Sequence, residues 1–415
     1  MKKTILIIFI FCISLHVSAQ LISNTDSLET NNLNVFYDCQ SCDITFIKQN
    51  LNYVEFVRDQ RFSDVHILIN SQVNGSGGER IMLQFIGQNK FSKLTDTLNF
   101  STNPNMTDDD KRRLELRYIE LGLIRFFIEK GLEDKIELSI KKSDQIKIVE
   151  EDPWNSWVYK FSANGWFNGQ ETYRNSNVDF SVNVKRVTEK NKFNFWSNIN
   201  LNSEVYTFDD EEIENNQQSF NLYTNDIISI NDHWSYGVFG KVLNSKYSNY
   251  ELVTGLKGGI EYDFFKYSES ANRQVTLSYT LGGLYNNYYD TTVFNKTEEV
   301  LFENSLLLAS TFKQKWGNVT GSVDYESYLN DLSLYQVRFY LNLNIRLFKG
   351  LSWRVNGRYI IQHNQINLQK AGASLEEVLL QQQQLKSGYN YQFRTGLSYS
   401  FGSIYNSVVN PRFDF

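Results

Sequence analysis

Three groups of residues in this 415-residue chain are of types that could do chemistry. The first is Cys39-Gln40-Ser41-Cys42. Two cysteines with two residues between them can cycle between dithiol and disulfide, and an ionised thiol of such a pair is a nucleophile. The same spacing also serves as a local structural bridge in an oxidising compartment. No tryptophan precedes Cys39 and no βαβ pattern follows Cys42, so a structural disulfide is the expectation. A metal centre would need two further ligands. The nearest histidine, His66, falls in a predicted strand, so no metal and no cofactor are expected. The second group is the histidines. His233 sits in a predicted turn beside Trp234, and His363 has no serine two positions away on its own strand. Ser–His catalysis needs the pair within hydrogen-bond reach, so hydrolysis ranks third among the functional readings. The third group is charged. Lys160, Arg338, Arg346, Arg354, Arg358 and Arg394 are basic, and Glu261, Asp263, Asp324 and Glu326 are acidic. All ten sit at the polar phase of alternating segments, and their meaning depends on what those segments are.

From residue 154 onward the apolar period is two. Val178, Phe180, Val182 and Val184 alternate with Asp179, Ser181, Asn183 and Lys185. Val337, Phe339, Leu341, Leu343, Ile345 and Leu347 alternate with Arg338, Tyr340, Asn342, Asn344 and Arg346. Such runs exceed what a soluble strand needs and suit a tilted strand that crosses a membrane. Twelve strands are predicted, at 157–171, 177–188, 193–207, 219–230, 234–245, 251–265, 274–287, 301–313, 318–330, 333–347, 352–366 and 387–401. Aromatics make up 15% of the chain, yet its mean hydropathy is only −0.41, as expected when lipid-facing and lumen-facing residues alternate. The prolines are Pro104, Pro153 and Pro411, so none interrupts 154–410; proline cannot donate to a strand ladder. With the first strand starting in the periplasm, the longest connections (208–218, 288–300 and 367–386) all fall on the outer side. Residues 375–380 within the last of these have helical spacing. Asp209-Asp210-Glu211-Glu212 reads as a solvated loop.

Met1-Lys2-Lys3, a short apolar stretch and His16-Val17-Ser18-Ala19 form a secretory signal peptide over 1–19, cut before Gln20. Residues 20–33 are polar and expected to be loose. Residues 34–150 read as a mixed α/β domain. It has strands at 34–37, 65–70, 80–87 and 94–100. A helix capped by Asp43 carries Ile47, Leu51, Val54 and Val57, and a second helix opens at Thr107. This order of elements resembles the N-terminal domain of TolB-type periplasmic proteins, a resemblance that implies a protein-docking module.

Arg394-Thr395-Gly396-Leu397-Ser398-Tyr399-Ser400-Phe401 resembles the C-terminal β-signal of bacterial outer-membrane barrels, with Gly396, Tyr399 and Phe401 at its marked positions. The resemblance implies delivery to the barrel-assembly machinery. The signal usually ends a chain, whereas here 402–415 follow it, and these are expected to form a periplasmic tail. The expected fold is therefore an all-β transmembrane barrel of about 12 antiparallel strands over 154–401, preceded by a small α/β periplasmic domain, in the outer membrane of a Gram-negative cell. Outer-membrane lipid is the surrounding partner, and a periplasmic protein partner is a further expectation. The net charge of −6 gives no sign of a nucleic-acid partner. The basic residues fall on strands one, ten, eleven and twelve, neighbours once a barrel closes, and the acids fall on strands six and nine. Such an arrangement resembles a porin constriction and implies a channel for small solutes. The alternative is an anchoring barrel whose paired charges fill the lumen. An outer-rim lipid hydrolase is the third reading.

Overall fold

The computed structural model describes residues 32–137 and 152–403 apart from 40–41, 76, 209–210, 349 and 373–383, together with 407, 410 and 412. The signal peptide, the segment before Asn32 and the helix at 375–380 lie outside the described residues.

The N-terminal unit folds as β1 (Leu33–Asp38), α1 (Ile44–Asn50), β2 (Val54–Phe56), β3 (Val65–Val73), β4 (Glu79–Gly87), β5 (Thr95–Ser101) and α2 (Asp108–Glu129). Its five strands are ordered β2-β1-β3-β4-β5, with β1 parallel to both neighbours and the rest antiparallel. Helix α2 starts where the sequence places it. The Thr107 hydroxyl accepts from the Asp110 amide while the Asp110 carboxylate accepts from the Thr107 amide, a reciprocal capping box. Leu33, Val35, Ile67, Leu83 and Phe85 from the sheet and Ile119, Leu123 and Phe126 from α2 form the core. Gly122 lets α2 lie on the Phe85 ring, because a Cβ there would fall 2.0 Å from a ring carbon. Phe85 is fully buried, so Phe85→Ala should destabilise this unit by about 3–5 kcal/mol. Pulse proteolysis of the detergent-solubilised chain is expected to show cleavage within 33–135 rising about a hundredfold or more; an unchanged cleavage rate would contradict this core assignment.

One helix is shorter than the periodicity predicts. Ile47, Leu51, Val54 and Val57 share a helical phase, but α1 ends at Asn50, where the Leu51 amide turns back to the Ile47 carbonyl. Val54 and Phe56 instead form β2 against β1. A β-branched and an aromatic residue, both 2% exposed, bury better on that free edge than on another turn of helix.

The rest of the chain is a single antiparallel meander. Its strands are β6 (Trp157–Gln170), β7 (Tyr173–Val187), β8 (Asn191–Phe208), β9 (Glu211–Ser229), β10 (Trp234–Ser245), β11 (Tyr250–Asp263), β12 (Arg273–Tyr288), β13 (Glu298–Gln314), β14 (Gly317–Tyr328), β15 (Asp331–Phe348), β16 (Leu351–Gln362) and β17 (Tyr389–Tyr399). The twelve strands pair in sequence order from β6 to β17. The alternation of exposure is clearest on β11 and β13. On β11, Leu256 and Ile260 are exposed while Val253 and Asp263 are buried; on β13, Val300, Phe302, Leu306 and Leu308 are exposed while Leu301 and Glu303 are buried. One face is thus apolar and uncovered, the other largely polar and enclosed.

Two features depart from the expectation. The connection 208–218 is not a loop, because β8 and β9 pair through Phe208↔Glu211. Apart from Ile213, residues 211–218 are polar on both faces, as a hairpin would be where it rises clear of lipid, and that composition disguises the strand. Second, no ladder joins β6 to β17 among the described residues. Phe161 on β6 and Phe393 on β17 are 74% and 62% exposed. The hydrogen bonds describe a curled sheet with two free edges rather than a sealed cylinder.

The segment between β16 and β17 crosses the long-loop end of the sheet. Ile366, 2% exposed, packs on Leu284 of β12, Leu301 of β13 and Tyr328 of β14. The Val293 amide donates to the Leu368 carbonyl at 2.8 Å, and the Lys370 amide donates to the Thr291 carbonyl at 2.9 Å. Leu284 and Leu301 belong to the enclosed face, so this segment folds into the mouth.

Candidate functional site at the junction of domain and sheet

The N-terminal unit sits under the short-turn end of the meander and touches inward-facing residues around it. Asp38, at the end of β1, receives the Arg346 guanidinium of β15 in a forked pair at 2.7 and 2.5 Å. The same carboxylate lies 3.0 Å from Nε2 of His66 on β3. His66 is fully buried, edge-on to Phe36, and the Arg346 guanidinium lies 5.2 Å over the Phe36 ring. A planar fork aimed at a carboxylate with an aromatic face alongside is a geometry lysine cannot reproduce.

Further contacts spread around the rim. The Asn70 amide donates to Asn272 at 2.9 Å, and Lys313 Nζ donates to the Ser71 carbonyl at 3.1 Å. Gly75 lies so close to β7 that a Cβ on it would fall 2.5 Å from Val187 Cβ. Arg58 donates to the Phe401 and Gly402 carbonyls. Ser407 accepts from the Phe56 amide and donates to Glu55, which ties the C-terminal segment to β2. Points on β7, β13 and β15, before β12 and after β17 are therefore all held by one small domain. Between them is a cavity of about 250 Å³ lined by residues that include Asp38, Cys39, Cys42, Glu115, Lys313 and Arg346.

Burial alone would raise the Asp38 carboxyl, but hydrogen bonds from His66 and Arg346 and the Arg346 charge outweigh it and hold the carboxyl below its ordinary value. A depressed folded value means the pair contributes fully above an unfolded value near ~3.9 and is lost as pH falls through the folded one. Protease access to the junction is expected to stay flat from neutral pH down to about pH 4 and to rise only below that. Asp38→Asn should remove the acid step; release that begins near neutral pH would contradict the assignment.

The sequence-selected charges do not act as one set. Arg346 belongs to the junction. Arg338 pairs with Asp324 and with Glu326, both on the adjacent strand β14. Asp324 also accepts from Ser305 at 2.9 Å. Asp263 accepts from the Phe265 amide and from Gln274 at the β11–β12 turn, and Glu261 lies inward on β11. Lys160, Arg354, Arg358 and Arg394 have no carboxylate within ion-pair distance among the described residues. All four lie on β6, β16 and β17, beside the open edges. Sequence reasoning missed Lys241, Lys257 and Glu303. Glu303 is 1% exposed and sits with both lysines within ion-pair distance. The inward phase of β13, set by Leu301 and Ser305, was the signal that could have found it.

Cys39 and Cys42 are joined by a disulfide. His233 places Nδ1 2.7 Å from the Asp263 carbonyl and stacks on Tyr262, and His363 stacks on Tyr335; neither contact involves a serine hydroxyl. Gly396 and Tyr399 lie on β17, and Phe401 follows it.

No family model matches the chain, and no curated protein matches it. Among solved structures, a NanC porin is similar over 58% of this chain and all (100%) of its own, at 11% identity and a TM-score of 0.28. The beta domain of the Bordetella autotransporter BrkA is similar over 59% of this chain and 98% of its own, at 11% identity and a TM-score of 0.21.

Proposed function

We propose that residues 157–399 form an outer-membrane barrel that passes small solutes and is held shut at rest by the chain's own N-terminal domain, on the periplasmic side. The observation that supports it most is the forked Arg346–Asp38 pair, which fixes that domain under the enclosed face. The uncovered outer face supports lipid as the surroundings. Leu256 is 65% exposed, Ile260 52% and Leu281 44%, a continuous apolar surface that water would penalise. A sheet in lipid cannot leave its backbone edges unpaired, so β6 and β17 close on each other there, antiparallel as the meander requires. Lys160, Arg354, Arg358 and Arg394, which have no carboxylate partner among the described residues, would then line one wall and favour anionic solutes.

Planar-bilayer conductance tests this reading. The full mature chain should be mostly silent, and a chain lacking 32–137 should conduct. A second reading, an anchoring barrel with no passage, is favoured by the Arg338–Asp324–Glu326 and Lys257–Glu303 clusters, which fill part of the interior. Silence in both chains would support it. Steady conductance in the full chain would contradict the closed resting state.

A further inference from the structure

The junction cavity holds a second arrangement that neither reading uses. A carboxylate oxygen of Glu115 and the sulfurs of Cys39 and Cys42 all lie within 4.8 Å of one another. Both cysteines and Glu115 line the cavity of about 250 Å³, and Lys111, Lys313 and Arg346 stand around it. Glu115 is 8% exposed, and Oε1 accepts a hydrogen bond from the Tyr37 hydroxyl. A purely structural bridge needs neither an open cavity nor a buried acid beside its sulfurs.

We propose that Cys39–Cys42 is a redox-active disulfide that oxidises cysteine dithiols, with Glu115 as the group that moves the proton. The substrate class is a flexible cysteine-containing peptide segment, since the cavity takes a side chain and its flanking backbone but no folded domain. In the first step an incoming thiolate, its proton already lost to solvent, forms a bond to one cysteine sulfur. The Cys39–Cys42 bond breaks, the electron pair leaves on the other sulfur, and the Glu115 carboxyl protonates it. In the second step the substrate's other thiol gives its proton to Glu115 and attacks the mixed disulfide. The released protein thiolate takes a proton from solvent. The substrate dithiol is oxidised to a disulfide, the protein disulfide is reduced to a dithiol, and Glu115 is restored. The surrounding cations favour the thiolates in both steps. Burial pushes the Glu115 carboxyl above its ordinary value even though the Tyr37 donor pulls it down, which makes it a better-matched proton donor to a leaving sulfur than an exposed carboxyl would be.

The test uses the full mature chain in detergent with dithiothreitol as the dithiol and oxidised glutathione as the trapping probe. Reduction by dithiothreitol should slow roughly a hundredfold in Glu115→Gln, the low end of general-acid contributions. Tyr37→Phe removes the donor that lowers Glu115, so the pH at which the rate falls should move upward; a structural role would leave that profile in place. Cys39→Ser or Cys42→Ser should capture a glutathione mixed disulfide on the remaining thiol. The proposal is overturned by a folded chain whose disulfide resists dithiothreitol. It is equally overturned by single-cysteine variants that trap no glutathione, or by a rate and pH profile unmoved in whichever of Glu115→Gln and Tyr37→Phe folds. None of these readouts depends on conductance.

Discussion

Arg346→Ala is expected to turn a mostly silent barrel into one that opens often. The substitution removes both donors of the fork and leaves Asp38, whose side chain is 12% exposed, paired with His66 of its own domain and with nothing on β15. Stripping one partner from a fully buried pair costs about 3–5 kcal/mol. The Arg346 side chain is 35% exposed, so part of its charge is already screened. About 2 kcal/mol is the reasonable figure, a factor of about 30 in the undocked population. Arg346→Lys keeps the charge but not the fork and should fall between the two. Opening frequency in planar bilayers reads this directly. An alanine variant as silent as the parent would mean that the pair does not hold the closed state.

The second large effect concerns the outer face. Leu256 is mid-strand on β11 and points away from the enclosed side, and Leu256→Arg is expected to cost about 2–4 kcal/mol, the penalty for arginine facing lipid near the bilayer centre. Ser278→Arg, on the inward phase of β12 opposite Glu261, should be far milder. Urea unfolding from lipid vesicles compares the two. Equal costs would remove the argument for a lipid-facing side.

Why the strands were legible while the site was not follows from the physics of each. Strict period two is imposed by a sheet with unlike faces, so it is written locally. The predicted strand at 234–245 matches β10 to the residue, and most others agree to within a few positions. The exception is the start of β9, where Glu211–Gln218 has no greasy phase because neither face there meets an apolar surround. The pairing of β6 with β17 was expected from the class, and no local pattern encodes it. The junction is the opposite case from the strands. Asp38 and Arg346 are 308 residues apart, and each looks ordinary in its own segment. Arg346 was selected for its inward phase, but its partner was invisible because it comes from a different folding unit. The Cys39–Cys42 spacing was legible, whereas the buried carboxylate beside it comes from α2 and appears only once that helix packs across β1.

Leu306, Leu307 and Leu308 are consecutive and identical in type, yet Leu306 and Leu308 are each 45% exposed while Leu307 lines the enclosed face. The most direct measurement places a fluorophore at Leu306→Cys, Leu307→Cys and Leu308→Cys in turn, in lipid vesicles that carry nitroxide-labelled acyl chains. Quenching at 306 and 308 but not at 307 is the expected result, since only the outward phase touches lipid. Equal quenching at all three, or none at any, would contradict a membrane-embedded sheet with one greasy and one wet face.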